Sequence, residues 1–252
     1  MIAWREKFIA TGVYFGVTLL LAAIAAALIF LVWYPRPFDT MIGGTELFVL
    51  IVGSDLVLGP LMSLVLYNSR KTRRALLFDY TLVGVLQLSA LAYGISIMAD
   101  ARPVYVAYSK DRYEIVLAGD LKDKELAAAR DPRFARVPWT GPEYVAVVIS
   151  SEDYQDALFE ALAGNEEHQR PKFYVPYASQ LGAVRKHAKP LAVLEEKKPQ
   201  AKSLIQAALR GEPKPQGEYK WLPVRHFRGF WTAIVDDANG EVVAWVALDP
   251  YD

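Results

Sequence analysis

The side chains in the most unusual surroundings are two acids, Asp55 and Asp79, which interrupt long apolar runs in the first third of the chain. An ionised carboxylate near the middle of a bilayer costs about 2.5 to 3.5 kcal/mol on insertion scales, so each acid needs a polar partner or a function. Matching depths across two antiparallel spans place Asp55 near Gln87 and Asp79 near Ser63. Two interpretations stay open: internal hydrogen bonds between helices, or a polar feature that another transmembrane helix recognises.

Small residues and a proline surround Asp55, namely Gly53, Gly59 and Pro60. A proline inside a helix frees a backbone carbonyl one turn earlier and bends the helix, and glycines let a second helix approach closely. These three residues, both acids and Gln87 are therefore candidate partner-binding residues. The alternative is that a transmembrane helix simply tolerates glycine and proline at these positions.

The sequence contains no pattern typical of an enzyme or a metal centre. The three histidines, His168, His187 and His226, are far apart, and none has a second ligand at metal-binding spacing. There is no cysteine, and the nucleophile-elbow, phosphate-loop and dinucleotide-binding motifs are absent. A formal net charge of +0 gives no electrostatic support for nucleic-acid binding. We expect no enzymatic activity, no metal, no cofactor and no nucleic-acid partner.

Three apolar runs are long enough to cross a bilayer, which takes roughly 20 helical residues. The first contains 28 residues without a charge, from 8 to 35. The predicted spans cover about residues 8–34, 46–67 and 75–99, so that residues 1–99 form a three-helix transmembrane region. A cleaved signal peptide is the alternative for the first run, but the apolar stretch continues well beyond the length of such a segment.

Basic residues predict how the spans are oriented. Arg5 and Lys7 precede the first span and the 68–74 link contains four basic residues, whereas the 36–46 loop contains one. We therefore expect the amino terminus and the 68–74 link in the cytoplasm of a bacterium, the spans in its inner membrane, and everything from residue 100 onward in the periplasm. The aromatic residues expected to form a belt at the two membrane interfaces are Trp4, Trp33, Tyr34 and Tyr67.

Residues 100–252 have the composition of a soluble domain, with 44 charged side chains against 12 in residues 1–99. Alternating apolar runs predict strands, and the Asn239-Gly240 pair predicts a hairpin between the last two. The predicted strands cover residues 104–108, 113–117, 143–150, 219–227, 229–237 and 241–249. The predicted helices cover residues 153–164, 178–188 and 201–210. We expect an α+β domain with an antiparallel sheet and helices on one of its faces.

Several segments together resemble a known family. They are WREK before the first span, YPRPFDTMIGG after it, GSDLVLGPLMSLVLY in the second, the basic SRKTRR link, and YGISIMADARPVYVAY at the end of the third. These segments are similar to those of the type IV pilin accessory proteins, the TfpX/TfpZ-type and FimB-like inner-membrane pilin chaperones. The most specific parts are the G-x-D-x-x-L-G-P pattern at 53–60 and the Arg102-Pro103-Val104 entry to the external domain.

The resemblance implies a non-enzymatic role, in which the protein helps a cognate type IV major pilin reach the pilus assembly machinery. It provides no catalytic residues, and it adds Arg102 to the candidate partner-binding residues. Two other functions stay open on the residues alone. One is a membrane-anchored periplasmic sensor or ligand-binding protein, and the other is a subunit of a transport or enzyme complex that uses Asp55 and Asp79 as a proton path.

Overall fold

The structure is a computed structural model that describes residues 2–66 and 71–252, apart from the side chains of residues 2–7, 10, 63, 64 and 66. The chain divides into two compact units, Met1–Ala101 and Arg102–Asp252. Some predicted features fall outside the described residues. They are the side chains of Trp4, Arg5, Lys7, Ser63 and Tyr67 and the first three residues of the 68–74 link.

The first unit contains three long apolar helices. Helix α1 (Ile2–Leu28) continues into a π-helical turn (Ile29–Trp33), and a short helix α2 (Phe38–Met41) precedes α3 (Gly44–Leu66) and α4 (Arg73–Asp100). The segments long and apolar enough to cross a membrane are Thr11–Trp33, Gly44–Met62 and Arg73–Asp100. The three predicted spans are confirmed, and the protein is a multi-pass membrane protein.

Close packing in the first unit joins the end of α1, the start of α3 and the end of α4. The Tyr34 hydroxyl donates to the Met98 carbonyl at 2.8 Å. Gly44 lies directly against the Tyr34 ring, so that a Cβ at this position would overlap it. Trp33 and Tyr34 are only 3% and 1% exposed. The prediction that these two residues belong to a lipid-facing belt is wrong, because the chain folds back after α1 and buries both rings inside protein.

The second unit is built on one eight-stranded sheet with the order β4-β3-β1-β2-β6-β7-β8, in which β5 also pairs with β6. The strands are β1 (Pro103–Ser109), β2 (Arg112–Leu117), β3 (Glu143–Val147), β4 (Tyr174–Pro176), β5 (Lys189–Pro190), β6 (Tyr219–His226), β7 (Gly229–Asp236) and β8 (Val242–Val246). The helices are α5 (Asp123–Ala127), α6 (Tyr154–Leu162), α7 (Leu181–His187), α8 (Leu191–Lys197) and α9 (Ala201–Ala208). The predicted α+β class is confirmed.

The sheet is mixed, whereas the sequence led us to expect an antiparallel one. The hairpins β1–β2, β6–β7 and β7–β8 are antiparallel, but β1 pairs with β3 and β2 pairs with β6 in parallel. Parallel neighbours need long crossover connections, and the segments 110–142 and 118–218 provide them here. Helix α8 was not predicted, since its charged sequence suggested a surface connection.

Helices pack on both faces of the sheet, which corrects the expectation of one covered face. On one face, Leu194 and Ile205 of α8 and α9 pack against Trp221 and Ile234. On the other face, the Tyr177 hydroxyl lies 2.7 Å from that of Tyr113 on β2. The segment before and through α7 therefore covers the second face.

The second face is concave, because aromatic rings from distant strands meet on it. The ring of Trp245 on β8 stacks 6.5 Å from that of Tyr144 on β3, and it lies 6.2 Å from that of Tyr113. In a flat sheet β3 and β8 would lie about 24 Å apart, at roughly 4.8 Å per strand. The sheet is therefore strongly rolled, and these rings lie on its concave face.

Candidate functional site

A cavity of about 140 Å³ lies among the three long helices, and two of the predicted partner-binding residues, Asp55 and Gln87, line it. Its polar lining consists of Tyr14 and Thr18 from α1, Asp55 from α3, and Gln87 from α4. Apolar residues form the rest of the wall, among them Val52 and Leu88. The predicted proximity of Asp55 and Gln87 is therefore found in the structure.

The polar groups in this cavity are not all paired with one another. Among the described residues, the Nε2 atom of Gln87 is buried without a hydrogen-bond partner, and no hydrogen bond connects Asp55 to Gln87. Leaving a buried amide donor unpaired costs about 1 to 3 kcal/mol. The cavity thus retains hydrogen-bonding capacity that a group from another molecule could use.

Gly59 and Gly53 differ in what surrounds them. A Cβ at Gly59 would lie 2.9 Å from Cε1 of Tyr14 and 3.0 Å from Nε2 of Gln87, whereas a Cβ at Gly53 would meet nothing within 4 Å. A larger residue at Gly59 would make the side chains of Tyr14 and Gln87 shift, while Gly53 leaves open space beside α3. Helix α3 continues through Pro60 without interruption.

Asp79 does not line the cavity, and its surroundings differ from those of Asp55. Its carboxylate accepts a hydrogen bond from Lys71 Nζ at 2.6 Å. The predicted partner, Ser63, has no described side chain. The two acids are therefore not brought together at one site in the described part of the first unit.

Arg102 is held within the second unit. Its Nη2 atom donates to the Pro138 carbonyl at 3.0 Å, which fixes the loop before β3 to the start of β1. A partner-binding role for Arg102 remains a prediction, as it does for the residues around Asp55.

Sequence reasoning missed an exposed apolar surface on α6. Four large apolar side chains point outward from this helix, and Phe159 and Leu162 are 69% and 79% exposed. We call this surface the α6 stripe. Its members are Tyr154, Leu158, Phe159 and Leu162. Their spacing over two turns is the signal that could have identified the surface, but such spacing usually marks a core-facing side.

Ion pairs explain why α6 turns its apolar side outward. Asp156 accepts from Arg170 at 2.8 Å and from Lys172 at 2.6 Å, and Glu160 accepts from Asn165 at 3.1 Å. Within the helix only the small Ala157 is buried. The helix therefore docks through polar contacts, and it exposes an apolar area of the kind that marks interaction sites.

A second cavity, of about 350 Å³, lies in the carboxy-terminal unit and is lined by charged side chains. Arg225 donates to Glu114 at 2.6 Å and also to Glu166. Burial raises the pKa of Glu114 to about 7, against the opposing effect of Arg225. Burial also lowers the pKa of His168, in the same cavity, to about 4.

The histidines do not form a metal site in the described residues, where no group of three metal-ligating side chains is found. His168 and His226 both line the charged cavity. His187 lies on the opposite sheet face, where its Nδ1 is 2.7 Å from the Tyr108 hydroxyl.

Comparison with known proteins identifies the family of this chain. A family model described as fimbrial assembly protein FimB matches residues 2–43. The serogroup I fimbrial assembly protein of Dichelobacter nodosus is 33% identical over 248 residues, covering 96% of this chain and 95% of that protein. The chain belongs to the FimB fimbrial assembly family. The serogroup E1 fimbrial assembly protein of the same organism is 32% identical over 245 residues, which cover 96% of this chain and 95% of that protein.

A third relative, also named a fimbrial assembly protein, is shorter. The Dichelobacter nodosus protein of serogroups C1 and C2 is 40% identical over 119 residues, which are 47% of this chain and 91% of that protein. No solved structure matches the chain. The resemblance to FimB-like proteins is confirmed, and the role of this FimB family member lies in fimbrial assembly.

The raised pKa of Glu114 predicts how the free energy of unfolding of the carboxy-terminal unit changes with pH. Since the folded pKa lies above the ordinary value of 4.5, Glu114 favours folding below pH 4.5, and this contribution is lost as the pH rises through 7. Glu114→Gln should therefore gain stability relative to wild type between pH 4.5 and 7, by about 3 kcal/mol at 1.36 kcal/mol per pKa unit. Urea unfolding of the fragment 102–252 at a series of pH values measures this difference.

The control for this experiment is His168→Gln. His168 has a lowered pKa, so its contribution is present above pH 6.5 and is lost as the pH falls through 4. This variant should gain stability relative to wild type on acidification, which is the opposite trend. A Glu114→Gln curve parallel to wild type between pH 4.5 and 7 would contradict the prediction, because it would mean that the ion pair with Arg225 cancels the effect of burial on the pKa.

Proposed function

We propose that this protein is an inner-membrane accessory protein that holds a type IV major pilin and presents it to the pilus assembly machinery. Its role is binding rather than catalysis. Membership of a fimbrial assembly family supports the general setting. The specific step, recognition of the pilin, is supported by the arrangement of polar and apolar groups in the two units.

The observation that carries the proposal is the partly unpaired polar cavity among the spans. Asp55 and Gln87 line it together, and the Gln87 amide has no hydrogen-bond partner in the part of the chain that the structure describes. A pilin awaiting assembly has one long apolar helix in the membrane. A polar group or an exposed backbone carbonyl on such a helix would satisfy Gln87 and Asp55, and Gly53 leaves room beside α3 for its approach.

The α6 stripe supports a second contact, outside the bilayer. Tyr154, Leu158, Phe159 and Leu162 would cover an apolar patch on the globular head of the same pilin. Two linked contacts of modest strength give a much higher combined affinity than either one alone. A pilin would then be held in both compartments and released when the assembly machinery competes for its helix.

The alternatives have weaker support. A proton path through both acids would need Asp79 beside Asp55, but Asp79 pairs with Lys71. A ligand-binding sensor could use the charged cavity, but Glu114 and Glu166 there already form ion pairs with Arg225.

We also propose that the amino terminus is cytoplasmic and the domain 102–252 periplasmic, since Lys71 lies just before α4 and Arg73 and Arg74 begin it. An alkaline phosphatase fused after Asp252 should be active, and one inserted after Arg74 should be inactive. The reverse pattern in intact cells would overturn this orientation.

Substitutions at Asp55 test the recognition of the pilin. Asp55→Leu removes both hydrogen-bonding functions, whereas Asp55→Asn keeps a donor and an acceptor. If Asp55 contacts the pilin helix, the Leu variant should accumulate normally while pilin capture falls at least tenfold, which is 1.4 kcal/mol of binding free energy. The Asn variant should retain most of the binding. Pilin that co-purifies with the tagged membrane protein is the measurement.

Ser54→Leu is the matched control, because Ser54 is exposed on the same helix and its hydroxyl donates to the Leu50 carbonyl of that helix. It should capture pilin normally. An Asp55→Leu variant with normal abundance and normal pilin capture would contradict recognition at Asp55. A loss of protein abundance that accounts for all the lost capture would instead identify Asp55 as internal support for the helices.

A further inference from the structure

One exposed loop is held firmly against the first residues that follow α4. Arg102 donates to the carbonyl of Pro138 at the start of this loop, at 3.0 Å. At its other end, a Cβ on Gly141 would lie 2.8 Å from the carbonyl oxygen of Pro103. The loop 138–142 is therefore attached at both ends to the residues that leave the third long helix.

Trp139 lies at the tip of this loop and is 64% exposed. Tryptophan carries a large apolar ring system with one N–H donor, so full exposure to water is unfavourable for most of its surface. The environment that suits this combination is the headgroup region of a bilayer, where tryptophan is enriched. Arg136, three residues earlier, is also exposed and could face lipid phosphates.

The covalent chain keeps this loop close to the membrane. Helix α4, one of the three candidate spans, ends at Asp100. Arg102 follows two residues later, and two residues extend over at most about 7 Å. The loop that Arg102 holds must therefore lie within a side chain's length or two of the end of the span.

The aromatic residues at the end of α1 cannot serve as interface anchors on this side of the membrane. Tyr34 bonds to Met98, so α1 and α4 end at the same side. Trp33 and Tyr34 are buried in the helical unit, at 3% and 1% exposure. Anchoring by aromatic rings at this interface has to come from residues elsewhere in the chain.

We propose that the loop 138–142 is a membrane-interface anchor, which inserts the Trp139 ring into the headgroup region of the bilayer that α4 crosses. The insertion of Trp139 would give the domain 102–252 a direct contact with lipid, in addition to its covalent connection to α4. The partner in this contact is phospholipid.

The chain has no cysteine, so a single introduced cysteine can be labelled specifically. We would place a nitroxide at Thr140→Cys in the full-length protein, one copy per nanodisc of phosphatidylethanolamine and phosphatidylglycerol. Power-saturation spectroscopy then compares access of oxygen, which concentrates in lipid, with access of a water-soluble nickel chelate. A label at Ser151→Cys, in an exposed turn, is the reference for full solvent access.

The anchor predicts that the label at position 140 is several-fold less accessible to nickel than the label at 151, and more accessible to oxygen. Adding Trp139→Ala should raise nickel access at 140 towards the value at 151. Phe159→Ala, which removes an exposed ring from α6, should leave it unchanged.

Three results would overturn the proposal. Equal nickel access at 140 and 151 would mean that the loop is in water. Low access to both reagents would mean that protein, not lipid, covers the loop. Unchanged nickel access at position 140 after Trp139→Ala would mean that the Trp139 ring does not hold the loop at the interface.

Discussion

A hydrogen-bonding group inside a bilayer has no water to bond with, so it must find a partner within protein. This requirement governs the whole amino-terminal unit. Tyr34 satisfies it by donating to Met98, and Asp79 satisfies it through Lys71. Asp55 and Gln87 are different, because they share a cavity without pairing with each other. A buried polar group without a partner reduces the stability of the helices. In our proposal, the missing partner belongs to the membrane helix of a bound pilin.

The carboxy-terminal unit exposes an apolar surface, whereas the amino-terminal unit contains a partly unpaired polar cavity. Helix α6 is fixed by ion pairs from Asp156, and it turns Phe159 and Leu162 outward. The exposed apolar side chains of α6 are separate from the aromatic cluster on the rolled sheet, where the rings of Tyr113 and Trp245 pack together. In our proposal, the polar cavity in the spans meets a polar group on the membrane helix of a pilin, and the exposed apolar surface of α6 meets its globular head. Both features fit a protein of the fimbrial assembly family.

Much of this architecture could be predicted from the sequence where local composition decides it. Apolar length alone defines the three spans, and depth matching was enough to place Asp55 near Gln87. Features that depend on distant contacts were missed. The burial of Trp33 depends on the chain folding back over the helix ends, and the parallel β1–β3 pairing depends on a long crossover. Periodicity found the α6 helix but not its outward side, because Arg170, well beyond the helix, decides which side is buried.

The central claim is that one pilin is contacted both in the membrane and outside it. A photoreactive amino acid placed in turn at Leu88, in the cavity wall, and at Phe159, on α6, tests this directly in living cells. Leu77 on α4 and Val193 on α8 are exposed control positions outside both surfaces. Our account predicts pilin crosslinks from Leu88 and Phe159 and only background from the two controls. Crosslinking to pilin that is no stronger at Leu88 than at Leu77 would contradict it.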